Sequence, residues 1–146
     1  MINVVELSEF DKQIGYAPHQ HISNFLNTEV FEKLKVNFPA DALFQDELPE
    51  KRKQNQRPHH RRLMCVYDGS DNFFDHYKVD VHTLPVIWQK LIQLLSDTDG
   101  KYNAWLKNTL KVDSFTIRFD FHRTKSGLDV SPHEDTASKI GSHLFY

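Results

Sequence analysis

The sequence predicts an α+β domain in which helices come first along the chain and β-strands follow. Apolar residues recur at helical spacing within residues 28–38 and 84–95. Residues 115–122 instead alternate between apolar and polar side chains, as expected for a half-buried strand. The length of 146 residues suits one ordinary domain, and the five glycines and six prolines form no obvious linker. We therefore predict a single domain spanning residues 1–146.

The composition excludes several classes of protein. Hydrophobic residues make up 39% of the chain and charged residues 26%, a balance typical of a globular protein. No apolar run is long enough for a transmembrane helix, and no basic region followed by an apolar stretch indicates a secretory signal. The net charge of −2 argues against general binding to nucleic acid. The single cysteine, Cys65, excludes an internal disulfide, and we expect a cytoplasmic protein.

Two helices are predicted in the first two thirds of the chain. The first begins at Asn27 or Thr28, either of which can cap it, and ends at Pro39. The second is capped by Thr83 and has Pro85 in its first turn. The apolar face of the second helix comprises Leu84, Ile87, Trp88, Leu91, Ile92 and Leu95.

One or two further helical turns are predicted after the second helix. Extended segments are predicted before and after this helical region. Residues 63–67 form a short strand, and residues 115–122 form a second strand that ends before the turn at Ser126-Gly127. Residues 130–135 and 140–146 are predicted to be extended as well. The strands therefore come mainly in the last third of the chain.

The most polar part of the chain, residues 41–62, is predicted to be a long surface loop. Four acids lie in residues 41–50, whereas six bases and the pair His59-His60 lie in residues 51–62. The basic loop 51–62 is a candidate for binding nucleic acid, phosphate or an acidic glycan. A solvated loop balanced by the preceding acids is the simpler interpretation, and the lack of interleaved aromatic residues favours it.

The strongest chemical signal is the pair His133 and Asp135 in the sequence Ser-Pro-His-Glu-Asp. In an extended strand, residues two apart point to the same face, so an imidazole nitrogen and a carboxylate oxygen can reach one cation. The preceding Pro132 favours an extended backbone at Ser131. These two side chains supply two thirds of the 2-His-1-carboxylate triad that holds non-haem Fe(II). On spacing alone a polar pair in a surface loop explains them as well.

Residues 115–146 resemble the core of the 2-oxoglutarate/Fe(II) dioxygenases, in particular the prolyl 4-hydroxylase-like branch. In that family a strand ending in a glycine-containing turn precedes an H-x-D strand, and a segment of the form K-x-x-S-x-x-x-Y follows. Here these parts are residues 115–122, Gly127, His133 with Asp135, and residues 139–146. The upstream stretches ISNFLNTEVFEKL and LPVIWQKLIQLL resemble the opening strand and helix and the main supporting helix of the family.

The resemblance implies a double-stranded β-helix, or jelly roll, flanked by N-terminal helices, of which this chain holds only the first strands. It also implies a hydroxylase with Fe(II) as cofactor and 2-oxoglutarate as cosubstrate. The metal would be held by His133, Asp135 and a distal histidine. The substrate class, whether a small molecule, a peptide or a glycan, does not follow from the resemblance.

The sequence departs from the family after Asp135, where 11 residues remain. His143 is the sole histidine among them, and we expect it on the next strand out rather than as the third ligand. No arginine follows Asp135, and no residue is identified as the 2-oxoglutarate anchor. We therefore expect an N-terminal portion of the domain, inactive alone, whose open strand edges favour self-association.

Two alternatives to an enzyme stay open at this point. The same scaffold can serve as a non-catalytic binding or interaction module. An unrelated domain can instead bind polyanions through the basic loop 51–62. Neither alternative involves a membrane.

Overall fold

The computed structural model describes residues 25–47, 61–69, 74–124 and 139–144. Over these ranges the protein is α+β, with three α-helices and one open three-stranded antiparallel sheet, so the predicted class is confirmed. The chain divides into two compact units. The helical unit draws on residues 1–38 and 84–115, and the sheet unit on residues 39–83 and 116–146. No helix of the described ranges is long and apolar enough to cross a membrane.

Helix α1 spans Thr28–Val36, as its capping pattern predicts. The Asn27 side chain accepts a hydrogen bond from the Val30 amide at 2.8 Å, which satisfies one of the free N–H groups of the first turn. The helix ends before Pro39, and Leu34 is its buried residue. The N-terminal boundary could thus be predicted because capping is a local interaction.

Helix α2 spans Val86–Ser96, and its predicted cap at Thr83 is wrong. Pro85 is the N-cap residue, and Thr83 ends a short 3-10 turn, where its hydroxyl donates to the Asp80 carbonyl at 2.6 Å. The predicted apolar face is largely correct. Its fully buried members are Leu84, Leu91, Ile92 and Leu95.

Helix α3 spans Lys101–Leu110 and is longer than the one or two turns predicted. The buried Asn103 amide donates to the Leu95 carbonyl at 2.9 Å, so one side chain of α3 satisfies a carbonyl of the last turn of α2. The helix ends at Lys111, whose left-handed backbone (φ 56°) is unusual for a residue with a Cβ atom.

The sheet consists of β1 (Gln45–Asp46), β2 (Arg61–Tyr67) and β3 (Arg118–Thr124), with β2 in the middle. Both pairings are antiparallel. The predicted strand 63–67 is confirmed but begins two residues earlier. The predicted surface loop 41–62 is therefore wrong in two places, since β1 lies within it and its last two arginines belong to β2. Strand β3 begins three residues later than the alternation predicts, because pairing with β2 sets its start.

Strand β2 is covered on both faces at its centre. Leu63, Met64 and Cys65 are consecutive and all buried, although neighbours along a strand point to opposite faces. Leu63 and Cys65 pack with Tyr77 in one apolar cluster. Beyond the end of β1, the Val79 amide donates to the Cys65 carbonyl at 3.0 Å, which continues the pairing along that edge of β2. This covered strand positions the polar groups described next.

Candidate functional site

The predicted metal pair His133 and Asp135 lies outside the described residues. Strand β3 is the last described element before it and ends at Thr124, nine positions before His133. Within the described ranges, no three or more histidine, cysteine, aspartate or glutamate side chains come together as a metal site. The metal prediction therefore still depends on the sequence pattern.

His143 lies in residues 139–144, which form neither helix nor strand, so the expected next strand is not found over these residues. The imidazole is half-buried, and desolvation lowers the pKa of His143 below its usual value of 6.5. Ile140 and Leu144, which flank it, are 49% and 65% exposed. The exposure of these two side chains is consistent with the lack of a strand over residues 139–144.

A carboxylate that directly follows β1 meets a guanidinium of β2 and an imidazole of β3. Arg61, the first residue of β2, forms two hydrogen bonds with the Glu47 carboxylate, from Nε at 3.0 Å and from Nη2 at 3.1 Å. The remaining guanidinium nitrogen, Nη1, lies 3.1 Å from His122 Nδ1 on β3. The Glu47 side chain is 5% exposed and the Arg61 side chain 20%. We refer to these three residues as the clasp.

The geometry of the clasp determines the protonation state of His122. A guanidinium has donors only, so Nδ1 must accept from Arg61, and the proton of the neutral ring lies on Nε2. The pKa of His122 is lowered from its usual value of 6.5, mainly by desolvation and further by the positive charge of Arg61. The carboxylates of Asp120 and Glu47 oppose this shift. His122 is thus a neutral acceptor near pH 7.

A second ionic cluster lies on the opposite face of the sheet. Arg62 and Arg123 are direct cross-strand partners, and the Asp41 carboxylate bridges their charges. Arg62 also donates to the Phe44 carbonyl at 2.6 Å, and Arg123 donates to the Pro39 carbonyl at 2.9 Å. The cluster therefore attaches the segment before β1 to the sheet.

These contacts bear on the basic loop 51–62. Arg61 and Arg62 are two of its six bases, and both are paired with carboxylates from residues 41–47. This pairing matches the interpretation that the preceding acids balance the basic segment. Residues 51–60, including His59-His60, lie outside the described residues.

The polar side of β3 carries one more ion pair. Arg118 holds Asp120 through two hydrogen bonds, at 2.8 and 3.1 Å, and its guanidinium stacks over the Phe74 ring at 3.3 Å. Cys65 is a buried residue at the centre of β2. Burial raises the pKa of Cys65 to about 11, so its thiol stays protonated and unreactive near neutral pH.

The clasp has no signature in the amino-acid sequence. The alternation in residues 115–122 does place His122 on the polar face of its strand, and Arg61 stands in the basic run. No local pattern pairs them, because they are 61 positions apart and meet only through the register of β2 and β3. Comparisons with protein-family models, characterised proteins and solved structures find no match to this chain.

Proposed function

We propose that this chain is part of an Fe(II)- and 2-oxoglutarate-dependent dioxygenase of the prolyl 4-hydroxylase-like type. The observation that carries the proposal is the spacing of His133 and Asp135, which follow an antiparallel strand in an α+β domain whose helices precede it. The jelly roll is part of the same proposal, with β3 as one of its first strands. We also propose a cytoplasmic location, because a lone buried thiol suits a reducing compartment.

The donor set fits the metal. Imidazole nitrogen and carboxylate oxygen are the ligand types of mononuclear Fe(II) sites, and two of them leave positions open for cosubstrate and dioxygen. His133 and Asp135 would hold the ion. When bound, iron and 2-oxoglutarate supply the oxidising chemistry that hydroxylates a C–H bond.

The proposal assigns no third ligand and no 2-oxoglutarate anchor in this chain. We therefore propose that the 146-residue chain binds divalent metal weakly and does not turn over 2-oxoglutarate by itself. Succinate formation matched to 2-oxoglutarate loss by the purified chain with Fe(II) would contradict this inactivity. Such a result would at the same time support the family assignment.

Binding of Mn(II), a spectroscopic substitute for Fe(II), tests the metal pair directly. Loss of the free-ion EPR signal measures binding by the purified chain. Replacing His133 or Asp135 with alanine is expected to weaken the affinity by at least about tenfold, since each removes one of two ligands. The matched controls are His76→Ala and Asp113→Ala, which remove an exposed histidine and an exposed aspartate in described segments.

Unchanged affinity in both His133→Ala and Asp135→Ala would refute the metal site. That result would favour the alternative of a non-catalytic interaction module. The polyanion-binding alternative gains nothing from Arg61 and Arg62, whose charges are already paired. It stays a prediction, as does self-association through strand edges.

A further inference from the structure

The clasp joins three separate pieces of chain through one guanidinium. Glu47 directly follows β1, Arg61 begins β2, and His122 lies in β3. A backbone hydrogen bond from the Glu47 amide to the Arg61 carbonyl, at 3.1 Å, runs beside the side-chain contacts. Since Glu47 and Arg61 flank residues 48–60 in the sequence, these bonds set the distance between the two ends of that segment.

The clasp requires an unprotonated Nδ1 on His122. The Arg61 guanidinium can only donate in this hydrogen bond. Protonation of Nδ1 would therefore bring two N–H groups and two positive charges together. The His122 ring is partly shielded where it meets Arg61, but the residue keeps enough exposed surface for protons from solvent to reach the ring. The contact can therefore respond to the pH of the surroundings.

We propose that the clasp is an acid-sensitive latch, which holds β1 and β3 to the start of β2 when His122 is neutral and loosens when His122 gains a proton. The latch involves the two residues that flank residues 48–60 in the sequence. It also involves His122, near the end of the last described strand before His133. It is independent of the proposed metal chemistry, because it depends on Glu47, Arg61 and His122 and involves neither His133 nor Asp135.

The charged groups that face His122 determine the direction of the pH effect. Arg61 on β2 and Arg118 on β3 disfavour its protonation, whereas Glu47 and Asp120 favour it. Desolvation lowers the pKa of His122 further, in the same direction as the two arginines, so this pKa lies below 6.5 in the folded chain. A histidine whose pKa is lowered by folding contributes its full stabilisation when the pH is above its pKa in the unfolded chain. That contribution is lost as the pH falls through 6.5 toward the folded pKa.

Amide hydrogen exchange of the full chain between pH 7.5 and 4.5 tests the latch. Protection is taken as the ratio to the intrinsic exchange rate at each pH. Protection of the Glu47 amide should fall by about fivefold, the equivalent of one net hydrogen bond. The Val79 amide, which donates to Cys65 elsewhere on β2, should keep its protection and serves as the internal control.

Two variants make the test specific. His122→Gln retains an acceptor for Arg61 but does not titrate, so the part of the pH dependence of Glu47 amide protection that arises from His122 should disappear. Every carboxylate is still present in this variant, and acid effects that arise from carboxylates are therefore common to both proteins. His76→Gln removes another exposed histidine and should leave the wild-type pH dependence unchanged.

Three outcomes would overturn the latch. They are constant protection of the Glu47 amide, an equal loss in His122→Gln, or a parallel loss at Val79. Should His122→Gln fail to fold, the wild-type chain still decides the matter. The NMR titration midpoint of the His122 ring must then coincide with the midpoint of the Glu47 protection loss, and a mismatch would refute the proposal.

Discussion

The polar contacts of the helical unit and those of the sheet unit differ in sequence range. In the helical unit, the polar contacts join close neighbours, as in the Glu29–Lys33 pair four positions apart and the Asn103–Leu95 bond eight positions apart. In the sheet unit, Arg61 bonds to a residue 61 positions away and Arg123 to one 84 positions away. The difference teaches that the helices follow from local sequence, whereas the sheet depends on the assembly of distant segments.

The largest expected effect comes from the buried apolar face of α2 in the helical unit. Leu95 is 2% exposed in α2, and Leu95→Ala should lower the free energy of unfolding by about 2–5 kcal/mol through lost burial and a residual cavity. The adjacent Leu94 is only partly buried, so Leu94→Ala should cost clearly less. Urea denaturation of both variants provides the measurement. Equal losses would show that the apolar face of α2 is not where the structure places it.

A smaller effect is expected from breaking an ionic contact of the sheet unit. Glu47→Gln leaves the Arg61 guanidinium with one acceptor fewer and an uncompensated charge in a site that is mostly shielded from water. Because Arg61 keeps some exposure, the free energy of unfolding should fall by about 1–2 kcal/mol rather than by the full cost of a buried pair.

The matched control for Glu47→Gln lies in the helical unit. Glu29→Gln breaks the Glu29–Lys33 pair, both of whose side chains are more than half exposed. Although Lys33 lowers the pKa of Glu29, water and salt screen such a pair, and no measurable loss of stability is expected. Equal losses in the two variants would contradict the distinction between shielded sheet contacts and exposed helix contacts.

The smallest expected effect is a gain in stability. Lys111 adopts φ 56° at the end of α3, a backbone conformation that glycine takes without steric cost. Lys111→Gly should therefore raise the free energy of unfolding by about 0.5 kcal/mol. Lys107→Gly, inside the last turn of α3, should instead lower it by about 1 kcal/mol. Thermal denaturation can distinguish the two, and a loss in Lys111→Gly would contradict the left-handed cap.

Although the local cap predicted at Thr83 was wrong, the sequence-based predictions were mostly correct where the decisive interaction is short in sequence. The start of α1 at Asn27, the apolar face of α2 and the buried strand 63–67 are examples, because caps and hydrophobic periodicity act within one or two turns. The predictions were wrong at boundaries set by distant partners. Arg61 and Arg62 were assigned to a loop because their own neighbours are polar, and only pairing with β3 places them in β2.

The candidate functional residues also fall into those that the sequence indicates and those that only the fold brings together. His133 and Asp135 were identified from their spacing together with the family resemblance of the surrounding sequence, and their role stays a proposal that metal binding can test. The clasp could not be predicted, since an arginine, a glutamate and a histidine in three separate segments carry no common local pattern. Strand register decides which side chains become cross-strand neighbours, and a shift by one residue would turn His122 to the other face.

The amino-acid sequence by itself determined the α+β class, the cap of α1 and the alternation of β3. These features follow from backbone hydrogen bonding and from the burial of apolar side chains along a single element. Only the tertiary structure decided the order β1-β2-β3, the pairing of Arg61 and Arg62 with preceding acids, and the neutral state of His122. Those features depend on distances between residues far apart in the chain, which are set when the strands come together.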